Sequence, residues 1–199
     1  MKKITTDPRV IRTRNLIIDS LIRLSKQKNF ESITIKDITS EATVNRATFY
    51  YHFTDKYDLL EQTLKYRIMN DVLNQLTEIN DINADSIIVI FLSITEFLNN
   101  LLIQCSTSYV SLQKLIESNL KKELQEFFYT ILKPKFEQDN TEFIDKLQTY
   151  SALLTWSIYG AVIDCQFHKK DSPEEYAKKI TPYIFNGMNS LMDSIIIDT

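Results

Sequence analysis

Residues 45–52 run Asn-Arg-Ala-Thr-Phe-Tyr-Tyr-His, and Lys56 follows after Phe-Thr-Asp. These side chains suit binding rather than bond breaking. Arg46 offers a planar fork for a bidentate contact with a base edge or a phosphate. Thr48, Tyr50 and Lys56 carry donors for phosphate oxygens. Phe49 and Phe53, four apart, turn to the opposite face of a helix and face a core. The chain has no nucleophile–base pair, paired-carboxylate motif, phosphate-binding glycine loop or metal spacing. His52 and His168 are its two histidines and lie far apart in sequence. No catalytic residue, metal ligand or cofactor is therefore expected.

The elements that must position these groups are helices. Two glycines and four prolines in 199 residues leave few turn residues for sheets or long loops. Asp7 and Pro8 read as N-cap and first position of a helix whose inner face carries Val10, Ile17, Leu21 and Leu24. Asn29 ends it, and Phe30 and Ile33 cap the core. Thr34 and Asp37 form a capping-box variant opening a second helix, with Ile35 and Ile38 inward. Ala42 permits close helix approach, Val44 plugs the turn, and Asn45 caps the third helix. Such a helix-turn-helix admits the N-terminal residues of its second member to a DNA major groove. Thr54 or Asp55 caps a fourth helix, with Tyr57, Leu60, Leu64 and Ile68 on its buried face. Lys56 lies at its N-terminus, where backbone N–H groups favour phosphate.

Charge supports the same division. Residues 1–56 hold eleven Lys/Arg against six Asp/Glu, and residues 57–199 hold twelve against twenty. A basic quarter on an acidic body points the first part at a polyanion. Lys2 and Lys3 read as a basic arm. Cys105 and Cys165 match no redox or metal spacing and read as buried thiols in a reducing cytoplasm. The uncharged runs 97–113 and 147–163 are broken by Asn, Gln, Ser and Thr, which argues against membrane spans.

Residues 45–60 (Asn-Arg-Ala-Thr-Phe-Tyr-Tyr-His-Phe-Thr-Asp-Lys-Tyr-Asp-Leu-Leu), with Ile-Thr-Ile-Lys-Asp-Ile at 33–38, resemble the signature of TetR/AcrR-family bacterial transcriptional regulators. The likeness is strong over residues 9–64. It implies phosphate contacts at Thr48, Tyr50 and Lys56, and base-edge proximity at Arg46, Ala47 and Tyr51. Position 47 is often glycine in that family, and the extra methyl of Ala47 could meet a thymine methyl. The candidate DNA-facing set is Thr34, Lys36, Asn45, Arg46, Ala47, Thr48, Tyr50, Tyr51, His52 and Lys56.

Beyond residue 64 the resemblance lies in layout only. The fourth helix is expected to run from 55 to 76 as a link. A central apolar helix then carries Ile87, Ile90, Phe91, Ile94, Leu98, Leu101 and Cys105. Breaks are expected at 106–108, at Ser118 or Asn119, at Pro134 and at 138–141. A helix through Leu147, Leu154 and Ile158 shows a second face of small residues, Gly160 among them. Ser172 and Pro173 open a last helix striped by Ile180, Ile184, Gly187, Met188, Leu191 and Ile195.

The expected fold is all-α: a helix-turn-helix DNA-binding domain at 1–56 and a helical-bundle domain at 57–199 for effector binding and dimerisation. The resemblance implies a cytoplasmic homodimer joined through the two C-terminal helices and bound to a pseudo-palindromic double-stranded operator, with no membrane. It further implies a repressor released when a small-molecule effector shifts the fourth helix. Tyr109, Phe128, Trp156 and Tyr159 are the candidate ligand residues. Two alternatives are a C-terminal domain that binds a protein partner instead and, more distantly, a small helical enzyme.

Overall fold

A computed structural model describes residues 7–104, 106–135, 141–167 and 171–197. Eight α-helices run along the described residues: α1 (Pro8–Ser25), α2 (Ile35–Glu41), α3 (Arg46–His52), α4 (Lys56–Asp71), α5 (Ala84–Gln104), α6 (Ser106–Leu132), α7 (Thr141–Phe167) and α8 (Pro173–Ile197). No strand occurs among them. The all-α expectation holds. Lys2, Lys3, Cys105, the 138–140 loop and His168 lie outside the described residues, as do the side chains of Tyr109, Leu191 and Ile195.

Caps set the helix starts. Asp7 accepts from Arg9 N at 2.8 Å with Pro8 in the first turn. Thr34 Oγ1 accepts from Asp37 N at 3.1 Å while Asp37 Oδ2 accepts from Thr34 N at 2.8 Å, a complete capping box. Asp55 Oδ1 accepts from Tyr57 N and Asp58 N, so Asp55 rather than Thr54 caps α4. Ser172 and Glu175 exchange amide–side-chain bonds at the start of α8.

The chain divides into two compact units. The first contains the described residues up to Tyr66 together with Asn100–Ile116. Its core is built on Ile17, Ile18, Leu21, Phe30, Ile33, Ile38, Phe49, Phe53 and Leu59, each almost wholly buried. Tyr57 departs from its expected inward place. It is 53% exposed, with its ring edge on Phe30 and its hydroxyl donating to Glu31, and Leu59 fills the core position instead.

The second unit contains Arg67–Asn99 and the described residues from Glu117 onward. Its core includes Ile87, Ile90, Phe91, Ile94, Leu120, Leu124, Phe128, Leu154, Ile158 and Val162. Helix α5 is long and apolar enough to cross a membrane. Its fully buried Ile87, Ile90, Phe91 and Ile94 are what a core helix presents. Tyr176 of α8 stacks on Phe91 of α5 at 6.0 Å, and α7 packs along α8.

Three expected boundaries move. The link expected as one helix over 55–76 is α4 to Asp71, then a 3-10 turn at Leu73–Leu76; Val72 between them has φ −119° and ψ −69°. The break expected at 106–108 falls just before that range, with α5 ending at Gln104 and α6 beginning at Ser106, and Ser118–Asn119 does not interrupt α6, which is one helix of 27 residues. Its buried Ile116, Leu120, Leu124, Phe128 and Leu132 recur every fourth position straight through the polar pair. A continuous apolar stripe outweighs the capping preference of Ser and Asn. Pro134 does end α6, in a 3-10 turn at Lys133–Lys135. Pro182, unremarked in the sequence, lies inside α8, where it leaves one carbonyl without its helical donor.

Candidate DNA interface

Helix α3 is seven residues long and divides its side chains sharply. Phe49 and Phe53 are fully buried, 5.8 Å apart ring to ring. Arg46, Ala47, Tyr50 and Tyr51 are exposed, the two tyrosines at 46% and 58%. Two core phenylalanines thus hold a short helix against the first unit and leave its polar face to solvent. Tyr50 stands edge-on to Phe49 at 5.4 Å, and Tyr51 edge-on to His52 at 5.0 Å. These contacts restrain both rings. His52 is only partly exposed and lies 6.2 Å from the Phe53 ring.

Several expected phosphate donors are engaged within the protein. Asn45 Oδ1 accepts from both Thr48 N at 2.7 Å and Thr48 Oγ1 at 3.0 Å. The Thr34 hydroxyl donates to Asp37 Oδ2 at 2.8 Å. Lys56 is the sharpest departure. Its ammonium donates to the carbonyls of Phe30 (3.3 Å), Glu31 (3.0 Å) and Ile33 (3.2 Å), and its side chain is only 17% exposed. It also lies 4.8 Å from the Phe30 ring centroid and 5.3 Å from that of Tyr57. Those carbonyls belong to the 3-10 turn at Phe30–Ser32 and the residue after it, so Lys56 ties that turn to the start of α4. Its side chain is thus engaged in the scaffold, at a position that the sequence marked for phosphate contact.

By contrast, no hydrogen bond or ion pair among the described residues engages the Arg46 guanidinium, the Lys36 ammonium or the hydroxyls of Tyr50 and Tyr51. Other charges nearby are paired. Arg23 Nε meets Glu41 at 2.6 Å, and Lys28 Nζ meets Asp37 at 2.8 Å. The Lys28 bond, helped by the Thr34 amide, holds the Asp37 carboxyl well below its usual range. The turn before α3 contains Thr43 at φ 55°, a left-handed conformation. Val44 N donates to Thr39 O at 3.0 Å and Thr43 N to Ser40 O at 3.2 Å, the two bonds of a Schellman turn. That turn sets the angle between α2 and α3, and no glycine announced it.

Of the candidate ligand residues, three lie among the residues whose side chains the structure describes. Phe128 is fully buried and Tyr159 nearly so, while Trp156 is 58% exposed. Lys121 puts its ammonium 3.1 Å from the Trp156 ring centroid and 4.8 Å from that of Tyr159, and pairs with Glu117. A separate cleft of about 500 Å³ runs between α6 and α7, lined by Lys122, Gln125, Glu126, Tyr129, Thr130, Gln148 and Ser151. Phe128, Trp156 and Tyr159 are not among these lining residues. It escaped the sequence reading because amides and surface charges at helical spacing look like any solvated face. No group of three or more potential metal-ligating side chains occurs among the described residues.

With this geometry in hand, likeness to known proteins becomes informative. Residues 17–63 match the family model described as bacterial regulatory proteins, tetR family. The chain is 38% identical over 72 residues to the Bacillus subtilis protein named uncharacterized HTH-type transcriptional regulator YxbF, covering 36% of this chain and 19% of that one. It is 27% identical over 124 residues to the Staphylococcus aureus biofilm operon icaADBC HTH-type negative transcriptional regulator IcaR, covering 60% of this chain and 66% of that one. The chain thus spans about a fifth of the first relative and just under two thirds of the second. Among solved structures, a tetR-family transcriptional regulator from Streptomyces coelicolor matches 94% of this chain and 90% of its own, at TM-score 0.60 and 12% identity. The multidrug binding protein EbrR, complexed with imidazole, matches 86% of this chain and 94% of its own, at TM-score 0.58 and 21% identity. The fold extends over nearly the whole chain, and the family-model match falls within α1 to α4. Residues 17–63 thus resemble the N-terminal region of the tetR family of bacterial regulatory proteins.

Proposed function

We propose that the chain is a sequence-specific DNA-binding transcriptional regulator that acts as a repressor in the cytoplasm. The observation that supports this most is the division of α3. Phe49 and Phe53 lock it to a core, while Arg46, Ala47, Tyr50 and Tyr51 stand exposed, and the donors of Arg46, Tyr50, Tyr51 and Lys36 have no partner among the described residues. Arg46 is the candidate for a bidentate base contact, and the tyrosine hydroxyls for phosphate. The S. aureus relative is named a negative regulator, which favours repression over activation.

The working unit in this reading is a homodimer. Helix α7 exposes Leu153, Trp156 and Phe167, and α8 exposes Tyr183. A Cβ added at Gly160 or Gly187 would meet nothing within 4 Å, so both positions leave room for a facing helix. Exposed apolar side chains with small residues between them suit a second copy across a two-fold axis. Two α3 helices then read half-sites of a pseudo-palindrome about one helical turn apart. The cleft between α6 and α7 is the candidate effector site, with both charge signs and several amides available. Effector and operator oppose each other by the same factor in either direction. The rival occupant of the C-terminal domain is a protein partner, favoured only by apolar surface that dimerisation leaves uncovered.

Selection of binding sites from a random duplex library tests the central claim. The wild-type chain should enrich a two-fold-related sequence and run as a dimer by light scattering. Arg46→Ala should lose about 1–3 kcal/mol on the enriched duplex and relax preference at one position in each half-site. Should Arg46→Ala and Tyr50→Ala both bind that duplex as tightly as wild type, α3 is not the reader.

A further inference from the structure

The geometry points to Arg14 and Gln62 as positioning residues for the proposed DNA-reading helix, acting through a chain of hydrogen bonds that ends at the α3–α4 connection. This inference rests on α3 being the reader.

The chain begins on α1. Arg14 Nη2 donates to Gln62 Oε1 at 2.7 Å, 48 positions away in sequence. Gln62 Nε2 donates to Asp58 Oδ1 at 2.6 Å, and Asp58 Oδ2 accepts from Thr54 N at 2.8 Å and Thr54 Oγ1 at 3.1 Å. Thr54 is one of three residues between α3 and α4. Its neighbour Phe53 is the C-cap of α3, fully buried, and the Arg14 guanidinium carbon lies 5.5 Å from the Phe53 ring centroid. One side chain on α1 therefore meets the end of the reading helix twice: directly across the Phe53 face and indirectly through Gln62 and Asp58.

The order of groups is forced. A guanidinium only donates and an ionised carboxylate only accepts. A residue bridging them must accept at one end and donate at the other, and a primary amide does so in one orientation only. Gln62 is in that orientation. Arg14, Gln62 and Asp58 are all partly buried, so a broken link leaves a polar group facing limited water. Burial disfavours the charged Arg14, and nearby Asp58 partly offsets this. Arg14 is thus placed to brace a joint, in contrast to the exposed Arg9 and Arg12 of the same helix.

A brace has a signature that a DNA contact lacks. Attraction to phosphate depends on how many charges reach the backbone and is indifferent to sequence. Base readout depends on α3 being held at one angle. Weakening the joint should therefore reduce discrimination between selected and random duplex, with random-duplex affinity nearly unchanged. A lost phosphate contact would instead weaken both equally and flatten the salt dependence.

The test uses Gln62→Met, which removes both links at similar volume without altering charge, and Arg14→Met, which keeps the aliphatic stem. Each is measured on the duplex selected by wild type and on random duplex, over a range of salt, at temperatures where circular dichroism shows the variant folded. Gln62→Met is expected to lower the selected-to-random affinity ratio about tenfold, the scale of one charge-assisted hydrogen bond, with an unchanged salt slope. The double variant should be no worse than Arg14→Met alone, because both mutations cut one chain. An unchanged ratio in Gln62→Met, equal loss on both duplexes, or additive effects in the double variant would overturn the inference and leave the DNA-binding assignment standing. If wild type enriches no sequence at all, the assignment of function falls first and this inference falls with it.

Discussion

Replacing Thr43 by glycine should make the protein more stable. Thr43 has φ 55° and is exposed, and its amide bonds the Ser40 carbonyl at 3.2 Å. The position is the left-handed residue that closes a Schellman turn, which glycine usually occupies. A side chain with a Cβ in this conformation costs about 1–2 kcal/mol from the approach of Cβ to the following carbonyl. Branching at Cβ makes threonine a poor choice there. Glycine removes that strain and keeps both turn hydrogen bonds, since each is made by backbone atoms. Against this, glycine's freer unfolded chain costs about 0.5–1 kcal/mol. The net expectation is a gain of about 0.5–1 kcal/mol.

A gain of that size raises the melting temperature by about 1–4 °C for a chain of this length. Urea denaturation followed by circular dichroism would measure it as a higher midpoint at unchanged slope. Thr43→Ala is the control. It keeps the Cβ in the same left-handed position, so it should recover less than half the gain. Two results would refute the reasoning. If Thr43→Gly were destabilising by the full entropic amount, the turn would hold no strain. If Thr43→Ala matched Thr43→Gly, the effect would not come from Cβ at positive φ.

Further outcomes follow from other side chains. The Asp37 carboxyl is held far below its usual 3.8 by Lys28 and Thr34. Its contribution to stability is complete above that value and disappears as pH falls through the depressed folded value. Wild type should therefore lose more stability than Asp37→Asn between about pH 5 and pH 2, read from urea midpoints. The phenols of Tyr150 and Tyr176 are both pushed up to about 12, the first by burial and then Asp81, the second by its hydrogen bond to Asp164. A raised folded value gives stability that is present below pH 10 and is lost as pH rises toward 12, so ultraviolet titration of Tyr176→Phe should show one late-ionising tyrosine fewer than wild type. Phe128→Ala, at a wholly buried site, should cost about 3–5 kcal/mol, measured by denaturation, because the cavity sits on the buried stripe from Ile116 to Leu132 of α6.

What could be read in the sequence was whatever rests on local chemistry. Caps at Asp7, Thr34, Asn45 and Ser172 are signalled by residue type within three positions, and all four appear where expected. The buried pair Phe49 and Phe53 follows from helical spacing in the same way. Where local signals competed with an apolar stripe, the stripe won, and Ser118–Asn119 was absorbed into α6. The turn at Thr43 gave no signal, because its left-handed residue is neither glycine nor asparagine. The internal bonds of Lys56 went unsignalled for a different reason. Its position at a helix start was right, but the three carbonyls that hold it come from residues 23 to 26 places earlier, a distance that no local pattern reports.

The consequence reaches the candidate interface itself. Internal bonds already engage Lys56 and the hydroxyls of Thr34 and Thr48, and leave Arg46, Lys36, Tyr50 and Tyr51 free. Of the ten residues marked out by sequence, some are therefore tied into the scaffold around α3 and others have donors without a partner among the described residues. A Schellman turn before α3, a lysine tying the Phe30 turn to α4, and the Arg14–Gln62–Asp58–Thr54 chain after α3 restrain a helix of only seven residues. So short a helix has little stability of its own, since nucleation is unfavourable and few internal bonds follow. Its orientation has to come from the scaffold, and Lys56, Thr34 and Thr48, polar side chains marked by the sequence for DNA, make internal bonds around it.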